Sequence, residues 1–212
     1  MLIKHRGSAP VMDSSVFIAP TAVVIGKVQI GSRSRVMYGA TLDSEGSRIE
    51  VGECTIVCEN AVLRATARGN VEHPVVVGSH VFIAPHATLL GCKVEDCSYI
   101  ATGATVLQGA TIQSGAAVAV GALVHANTVI PRDFLVPPNA IAVGDPVKLY
   151  GPGEQEAVAN AIKSVRFATT AFDIETEWED RVSRYRQATE VRSREFEAHF
   201  GDVVLRDSDG TG

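Results

Sequence analysis

The sequence has few aromatic residues, no long uninterrupted apolar run and no excess of basic residues. Phe, Trp and Tyr together make up 6% of its 212 residues. The formal net charge is −5, so a basic surface for nucleic acid is not expected. The first ten residues, MLIKHRGSAP, lack the apolar core of a signal peptide, and no stretch predicts a membrane span. These absences predict a cytoplasmic protein that binds neither nucleic acid nor membranes.

Cysteine is also scarce, with only Cys54, Cys58, Cys92 and Cys97 in the chain. Without a signal peptide, these four residues are expected to be reduced thiols. Their spacing forms no C-x-x-C pair. We therefore interpret them as small packed or turn residues rather than as a zinc site.

The sequence does contain a repeat of six residues between Ile18 and about Val143. A period of six fits neither the 3.6-residue helical period nor simple strand alternation, so it indicates a higher-order repeat. The fourth residue after each repeating aliphatic residue is small or β-branched in nearly every hexad. One large and one small inward side chain per hexad predict a narrow prism with short strands as faces and tight turns as corners. The aliphatic positions are Ile18, Val24, Ile30, Val36, Leu42, Val51, Val57, Leu63, Val77, Ile83, Leu89, Val94, Ile100, Val106, Ile112, Val118, Val124, Ile130 and Val136.

The limits of the repeat divide the chain into three parts. Residues 1–16 read as an N-terminal cap, 17–150 as the β-helix, and 151–212 as a helical segment with a tail. Apolar residues at helical spacing predict helices within Glu154–Phe172 and Ile174–Phe200. We expect the first to pack along the prism and the second to reach a neighbouring subunit or solvent. The tail, DVVLRDSDGTG, is expected to be frayed.

Two insertions interrupt the hexads. The first, Asp43–Arg48 (DSEGSR), carries three charges, so we expect it to bulge from a corner into solvent. The second, Arg64–Pro74 (RATARGNVEHP), is longer and is the one true loop of the repeat. Loops on a rigid scaffold are frequent functional sites. A solvated excursion that touches a neighbouring subunit is the simpler interpretation of this loop.

Three segments carry a resemblance to a known family. They are VMYGATLDSEGSRIEVGECTIVCENAVL, VVVGSHVFIAPHATLLGCKVEDCSYIATGATVL and VGALVHANTVIPRDFLVPPNAIAVGDPVKLYG. Together they resemble the γ-class carbonic anhydrases, within the hexapeptide-repeat superfamily that also includes acyltransferases. The resemblance covers about residues 10–170. It implies an all-β solenoid, a left-handed parallel β-helix with C-terminal helices, that forms a homotrimer with sites at the subunit interfaces.

The metal-binding histidines of that family are not found at the matched positions of this sequence. Its active members bind zinc or iron(II) through three histidines at the trimer interface. The matched positions in this sequence are Arg64, Pro85 and Leu90, and none of these is a metal ligand. The resemblance thus implies a scaffold without metal or another cofactor and without metal-dependent CO2 hydration. Zinc or iron would require a non-standard site. His80 and His86 are among the histidines near the interface that could supply its ligands.

The charged residues around the lost site suggest two hypotheses. The family's arginine–aspartate pair falls at Asp43 and Glu45, and its glutamine–aspartate pair falls at Cys58 and Glu59. In the simpler hypothesis, Arg64 forms a salt bridge with these carboxylates that replaces the metal in holding the trimer.

In the second hypothesis, the interface is a pocket for a small anion or carboxylate. Arg64 would bind the acid, and Glu59 or His86 would move a proton. The surrounding ligand-binding candidates are Asp43, Glu45, Cys58 and His73.

Two further functions stay open. The same repeat supports an acyl-CoA-dependent acyltransferase, with His73 or His86 as the general base. A non-catalytic trimeric scaffold or assembly subunit is the other, with a protein partner bound through the charged helix predicted in Ile174–Phe200.

Overall fold

The computed structural model describes residues 1–68, 71–165, 167–172, 174 and 180–205. The chain is a left-handed parallel β-helix of about eight turns, followed by helices and a final strand. Successive short strands pass from one face of a three-sided prism to the next, and strands from neighbouring turns pair in parallel. The fold class predicted from the six-residue period is confirmed.

The first face of the prism is a ten-stranded sheet. Its strands, in spatial order, are β25 (Lys148–Tyr150), β24 (Ile141–Val143), β21 (Leu123–Val124), β18 (Thr105–Val106), β15 (Thr88–Leu90), β10 (Val62–Arg64), β7 (Thr41–Asp43), β4 (Val23–Ile25), β1 (Leu2–Lys4) and β26 (Val203–Leu205). The pairs at both ends, β24 with β25 and β1 with β26, are antiparallel.

The other two faces have seven strands each. The second face consists of β2 (Val11–Met12), β5 (Val28–Ile30), β8 (Ile49–Val51), β13 (Val75–Val77), β16 (Lys93–Val94), β19 (Thr111–Ile112) and β22 (Val129–Ile130). The third face consists of β3 (Phe17–Ile18), β6 (Arg35–Val36), β9 (Ile56–Val57), β14 (Phe82–Ile83), β17 (Tyr99–Ile100), β20 (Ala117–Val118) and β23 (Leu135–Val136). The Arg64–Pro74 loop projects from the prism as a hairpin of β11 (Thr66–Arg68) and β12 (Val71–His73).

The C-terminal part contains α1 (Gln155–Ser164), α2 (Phe167–Phe172), α3 (Arg181–Phe196) and a 3-10 helix over Glu197–Gly201. Asp180 caps α3, because its carboxylate accepts a hydrogen bond from the Ser183 N–H at 3.0 Å. No helix among the described residues is long and apolar enough to cross a membrane.

The core is one column of aliphatic side chains along the prism axis. Every repeating aliphatic position from Val24 to Val136 is buried, and so are the small residues four positions later, such as Ala104 and Ala116. Large and small inward residues alternate because the interior is too narrow for two large side chains in each hexad. Burial of this column is the main stabilising contribution to the prism.

The C-terminal segment does not end where the sequence suggested. The chain after α3 returns to its own first turn, where Val203–Leu205 pairs with Leu2–Lys4. This part of the tail is therefore ordered as β26 rather than frayed, and the rest of it, 206–212, lies outside the described residues. The first strand and the last described strand consequently lie side by side at one edge of the first face. That the helix itself reaches a neighbouring subunit or solvent stays a prediction.

Candidate functional site

The strand register of the first face places two of the three family metal positions at one corner. Asp43, Arg64 and Leu90 end β7, β10 and β15, and the register pairs Arg64 with both of the others. Pro85 lies in the turn before β15, at the opposite end of that strand. We call the corner formed by Asp43, Arg64 and Leu90, together with the insertion that follows Asp43, the arginine corner.

Arg64 is held by carboxylates of its own chain. Its Nη2 lies 3.4 Å from Glu45 Oε1 and 3.6 Å from Asp43 Oδ2. Its Cζ lies 4.6 Å from the centre of the Phe196 ring, within the range of a cation–π contact. The Glu45 side chain is 4% exposed and the Arg64 side chain 29% exposed. The Arg64 guanidinium is thus part of a partly buried network of ion pairs.

The residues at the family's metal positions do not fit a metal ion. A guanidinium has no lone pair to donate at neutral pH, and the side chains of Leu90 and Pro85 carry no donor atoms. Arg64 also places a fixed positive charge beside Leu90, where a cation would be repelled. We therefore derive no chemical step through a metal at these three positions.

The first insertion is buried, contrary to the expectation from its charges. Asp43, Ser44, Glu45 and Ser47 are all less than 8% exposed. Asp43 Oδ1 accepts the Glu45 N–H at 3.0 Å, which folds the insertion back on itself. The prediction of a solvated bulge was wrong because the segment after α3 covers this corner, and Arg6, Arg64 and His199 pair with its carboxylates.

Two histidines and an aspartate complete this cover. His5 Nδ1 lies 2.5 Å from Asp202 Oδ1, and His199 Nδ1 lies 2.9 Å from Asp202 Oδ2. The two imidazoles stack with centroids 4.4 Å apart and an interplanar angle of 23°. His199 Nε2 lies 3.1 Å from Glu45 Oε1. We call His5, Glu45, His199 and Asp202 the histidine cluster.

The histidine cluster has a consistent electrostatic pattern. Partial burial works to lower the pKa of His199, but its hydrogen bond to Asp202 and the charges of Asp43 and Glu45 outweigh burial, so the pKa is raised. For Asp202, burial works to raise the pKa, but hydrogen bonds from His199 and His5 outweigh it and the pKa is lowered. The arrangement therefore favours a negatively charged Asp202 carboxylate beside a positively charged His199 imidazole.

Other predicted site residues lie away from the arginine corner within one chain. Cys58 and Glu59 are in the turn before β10, and His86 is in the corresponding turn before β15. The His86 N–H donates to the Glu59 carbonyl at 3.0 Å, so these turns stack on each other. Burial, and next the charge of Glu59, raise the pKa of Cys58. Glu59 and His86 thus share a corner with Pro85 rather than with Arg64.

His73, the last predicted residue, lines a cavity of about 650 Å³ between the β11–β12 hairpin and the helices. Burial lowers the pKa of His73, a hydrogen bond with the Thr170 backbone opposes this, and the Arg192 charge adds to the lowering. Arg192 itself pairs with Glu195 at 2.7 Å. A neutral imidazole and polar side chains on one wall suit a small polar ligand.

Sequence reasoning missed His5, Phe196, His199 and Asp202. His5 and His199 are separated by almost the whole chain, and neither belongs to a hexad or a recognisable ligand motif. Only the return of the C-terminal segment to the first turn brings them together. Pairing between such distant segments leaves no local periodicity that could have revealed it.

Comparison with known proteins places the chain among carbonic anhydrase relatives, although no family model matches it. It is 36% identical over 163 residues to a probable carbonic anhydrase of Methanocaldococcus jannaschii, an alignment that covers 75% of this chain and 96% of that protein. It is 40% identical over 115 residues to the mitochondrial gamma carbonic anhydrase 1 of Arabidopsis thaliana, which covers 50% of this chain. The chain spans 42% of the length of that plant protein.

Two solved structures are similar to this chain at low sequence identity. A hexapeptide transferase family protein from Anaplasma phagocytophilum is 24% identical, with 91% of this chain and 96% of that chain covered and a TM-score of 0.42. A putative acetyltransferase from Bacillus cereus is 20% identical, with 93% and 96% covered and a TM-score of 0.47. At these TM-scores and identities we draw no conclusion about this chain from either structure.

Proposed function

The chain belongs to the γ-class carbonic anhydrase-like family of hexapeptide-repeat proteins, and on that premise we propose that it is a homotrimeric, non-hydratase member of the family. In this proposal an ion-pair network has replaced the metal at the arginine corner. The protein works as a structural or assembly subunit in the cytoplasm, without nucleic acid or membrane as a partner.

One observation carries this proposal: Arg64, at the position of a family metal ligand, pairs with Asp43 and Glu45 of its own chain. Since both acidic residues are buried, the guanidinium neutralises charge that would otherwise be costly to bury. Phe196 covers the same guanidinium from the C-terminal side. These contacts favour a salt bridge within one chain over a free anion pocket, because an incoming acid would have to displace two resident carboxylates; that the bridge also holds the trimer stays a prediction.

The trimer is supported by an apolar stripe on the third face. The register aligns the outward residues Ile56, Phe82 and Tyr99 on successive turns. The Phe82 and Tyr99 rings lie 5.7 Å apart and remain 39% and 44% exposed. Such aromatic residues are enriched at protein interfaces. We expect sedimentation equilibrium to give three times the mass of the chain, and Phe82→Glu to lower that mass toward the monomer.

The variant Arg64→Ala tests the alternative in which Arg64 binds a small carboxylate ligand. If Arg64 stabilises the ion-pair network, the variant unfolds more easily than the wild type and no specific binding of a ligand is lost. If trimer stability were unchanged while binding of a small carboxylate was abolished, the salt-bridge function would be refuted. In that case Glu59 and His86 of a neighbouring copy become the proton-transfer candidates, since within one chain they lie at the other corner.

A second candidate function rests on the cavity beside His73. There we infer that a small polar molecule, or the acyl donor of an acyltransferase, would bind with His73 as its hydrogen-bond partner or general base. Calorimetry with acetyl-CoA and with small carboxylic acids tests this, using His73→Gln as the matched variant. Heat that is lost in His73→Gln would favour transfer or ligand binding over a purely structural role.

The scaffold role predicts a protein partner on α3. Val182 and Tyr185, one turn apart on this helix, are 72% and 60% exposed. Because both are apolar or aromatic and most other exposed residues of the helix are charged or polar, this face suits a protein partner. Val182→Glu/Tyr185→Glu should abolish co-purification of a partner while leaving the trimer intact.

A further inference from the structure

We propose that the histidine cluster is a binding site for one divalent transition-metal ion per chain, formed by His5, Glu45 and His199 and separate from the family's three metal positions. Its residues come from the first turn, the first insertion and the C-terminal segment. A single chain supplies every ligand, so this site needs no subunit interface.

The cluster has the donor set of a metal site. One ligand atom from each of His5, Glu45 and His199 lies within 4.8 Å of the other two. Two imidazoles and one carboxylate are a ligand set used for zinc and iron(II). Ligand atoms about 2.1 Å from a shared tetrahedral zinc ion are themselves about 3.4 Å apart. The 3.1 Å separation of His199 Nε2 and Glu45 Oε1 is already close to that value.

Asp202 supplies the outer support that metal-binding histidines usually have. Its two carboxylate oxygens engage the Nδ1 atoms of His5 and His199. When each Nδ1 donates its hydrogen to Asp202, each Nε2 is left with a lone pair. Because the rings are stacked and both Nδ1 atoms face one carboxylate, the two Nε2 atoms point in similar directions. The Nε2 of His199 then faces a carboxylate oxygen of Glu45, and two acceptors in contact need a cation between them.

The charges near the cluster favour a cation as well. Asp43, Glu45 and Asp202 face two guanidiniums, those of Arg6 and Arg64, which leaves one excess negative charge when both imidazoles are neutral. Arg6 bridges the cluster in this structure, since its Nε donates to His5 Nε2 at 3.2 Å and its Nη2 lies 3.4 Å from Glu45 Oε2. Its side chain is 42% exposed and can turn into solvent when a metal binds. Arg64 pairs with Asp43 and with Glu45 Oε1, the same oxygen that faces His199 Nε2, so that oxygen would be shared between the guanidinium and the metal ion.

The experiment is a Co²⁺ titration of untagged, chelator-treated protein at pH 7.5, followed by absorption, with Zn²⁺ competition and metal analysis. We expect about one metal ion per chain. His199→Gln should weaken binding at least about 100-fold, and Asp202→Asn should weaken it about 10- to 100-fold while keeping the ligands. Arg6→Gln should strengthen binding, because it removes the competing cation. A role confined to packing would not produce that gain.

His80→Asn is the matched control, because it removes an exposed imidazole at a left-handed backbone position that asparagine tolerates. It should bind metal like the wild type. His5 is fully buried, so His199→Gln is the deciding variant, and circular dichroism confirms its fold. Less than about 0.1 metal ion per chain would overturn the site and leave a proton as the bridging cation. Metal retained in His199→Gln would also overturn it, and would point to other ligands and against the non-hydratase proposal.

Discussion

Replacing Arg64 by methionine should destabilise the protein by removing the cation shared by Asp43 and Glu45. Removing one partner of a fully buried ion pair costs about 3–5 kcal/mol, whereas exposed pairs contribute about 0–1 kcal/mol. Arg64 lies between these limits, because its side chain is 29% exposed and its contacts are 3.4 and 3.6 Å long. Glu45 also keeps its contacts with Arg6 and His199.

We therefore expect a loss of about 2 kcal/mol in the free energy of unfolding, which corresponds to a fall of about 4–8 °C in the midpoint of thermal unfolding for a chain of this size. Circular dichroism and differential scanning calorimetry measure the midpoint. Arg64→Lys should recover part of the loss, because lysine keeps the charge but not the forked donors. Asp43→Asn combined with Arg64→Met should cost less than the sum of the single variants.

Arg48→Met is the matched control. Arg48 also pairs with two carboxylates, Glu50 at 2.6 Å and Glu72 at 3.4 Å, but these partners are 45% and 54% exposed. Its loss should cost no more than about 0.5 kcal/mol. Equal effects of Arg48→Met and Arg64→Met, or strict additivity of the Asp43 and Arg64 variants, would refute the reasoning.

Two further predictions concern the prism. Gly103→Ala and Gly109→Ala both place a Cβ at positive φ, but only at Gly109 would it overlap the Asn127 side chain, which bonds to Val165 and Thr170. Gly109→Ala should therefore cost about 1 kcal/mol more in urea unfolding, and equal costs would contradict the steric argument. Burial raises the pKa of Cys92 to about 12, whereas Cys97 is exposed. Ellman's reagent at pH 8 should label Cys97 rapidly and Cys92 only after unfolding, and rapid labelling of Cys92 in folded Cys97→Ser would contradict its burial.

The sequence predicted the prism because its core is a local pattern. Residues such as Ile83, Leu89 and Ile100 recur at a fixed spacing, and that spacing alone determines which side chains point inward. The strand register then follows, because equivalent positions of successive turns must stack on each other. The placement of Arg64 and Leu90 at one corner and of Pro85 at another was established by the structure.

The composition of the arginine corner could not be predicted in the same way. Its cover depends on His199 and Asp202 returning to the first turn, a contact between residues almost 200 positions apart. Helical periodicity predicted helices in the C-terminal segment but could not specify the surface on which they end. Without that cover, the charged insertion after Asp43 looked like a solvent loop, and its burial became evident only from the structure.

The most direct test of the central claim is CO2 hydration by the untagged protein after anaerobic loading with zinc, iron(II) or cobalt. Stopped-flow measurement with a pH indicator should find no hydration above the buffer rate in the wild type, in Arg64→Ala or in His199→Gln. Metal-dependent hydration by the wild type would contradict the non-hydratase proposal, and its loss or retention in His199→Gln would show whether the histidine cluster or other ligands hold the catalytic metal.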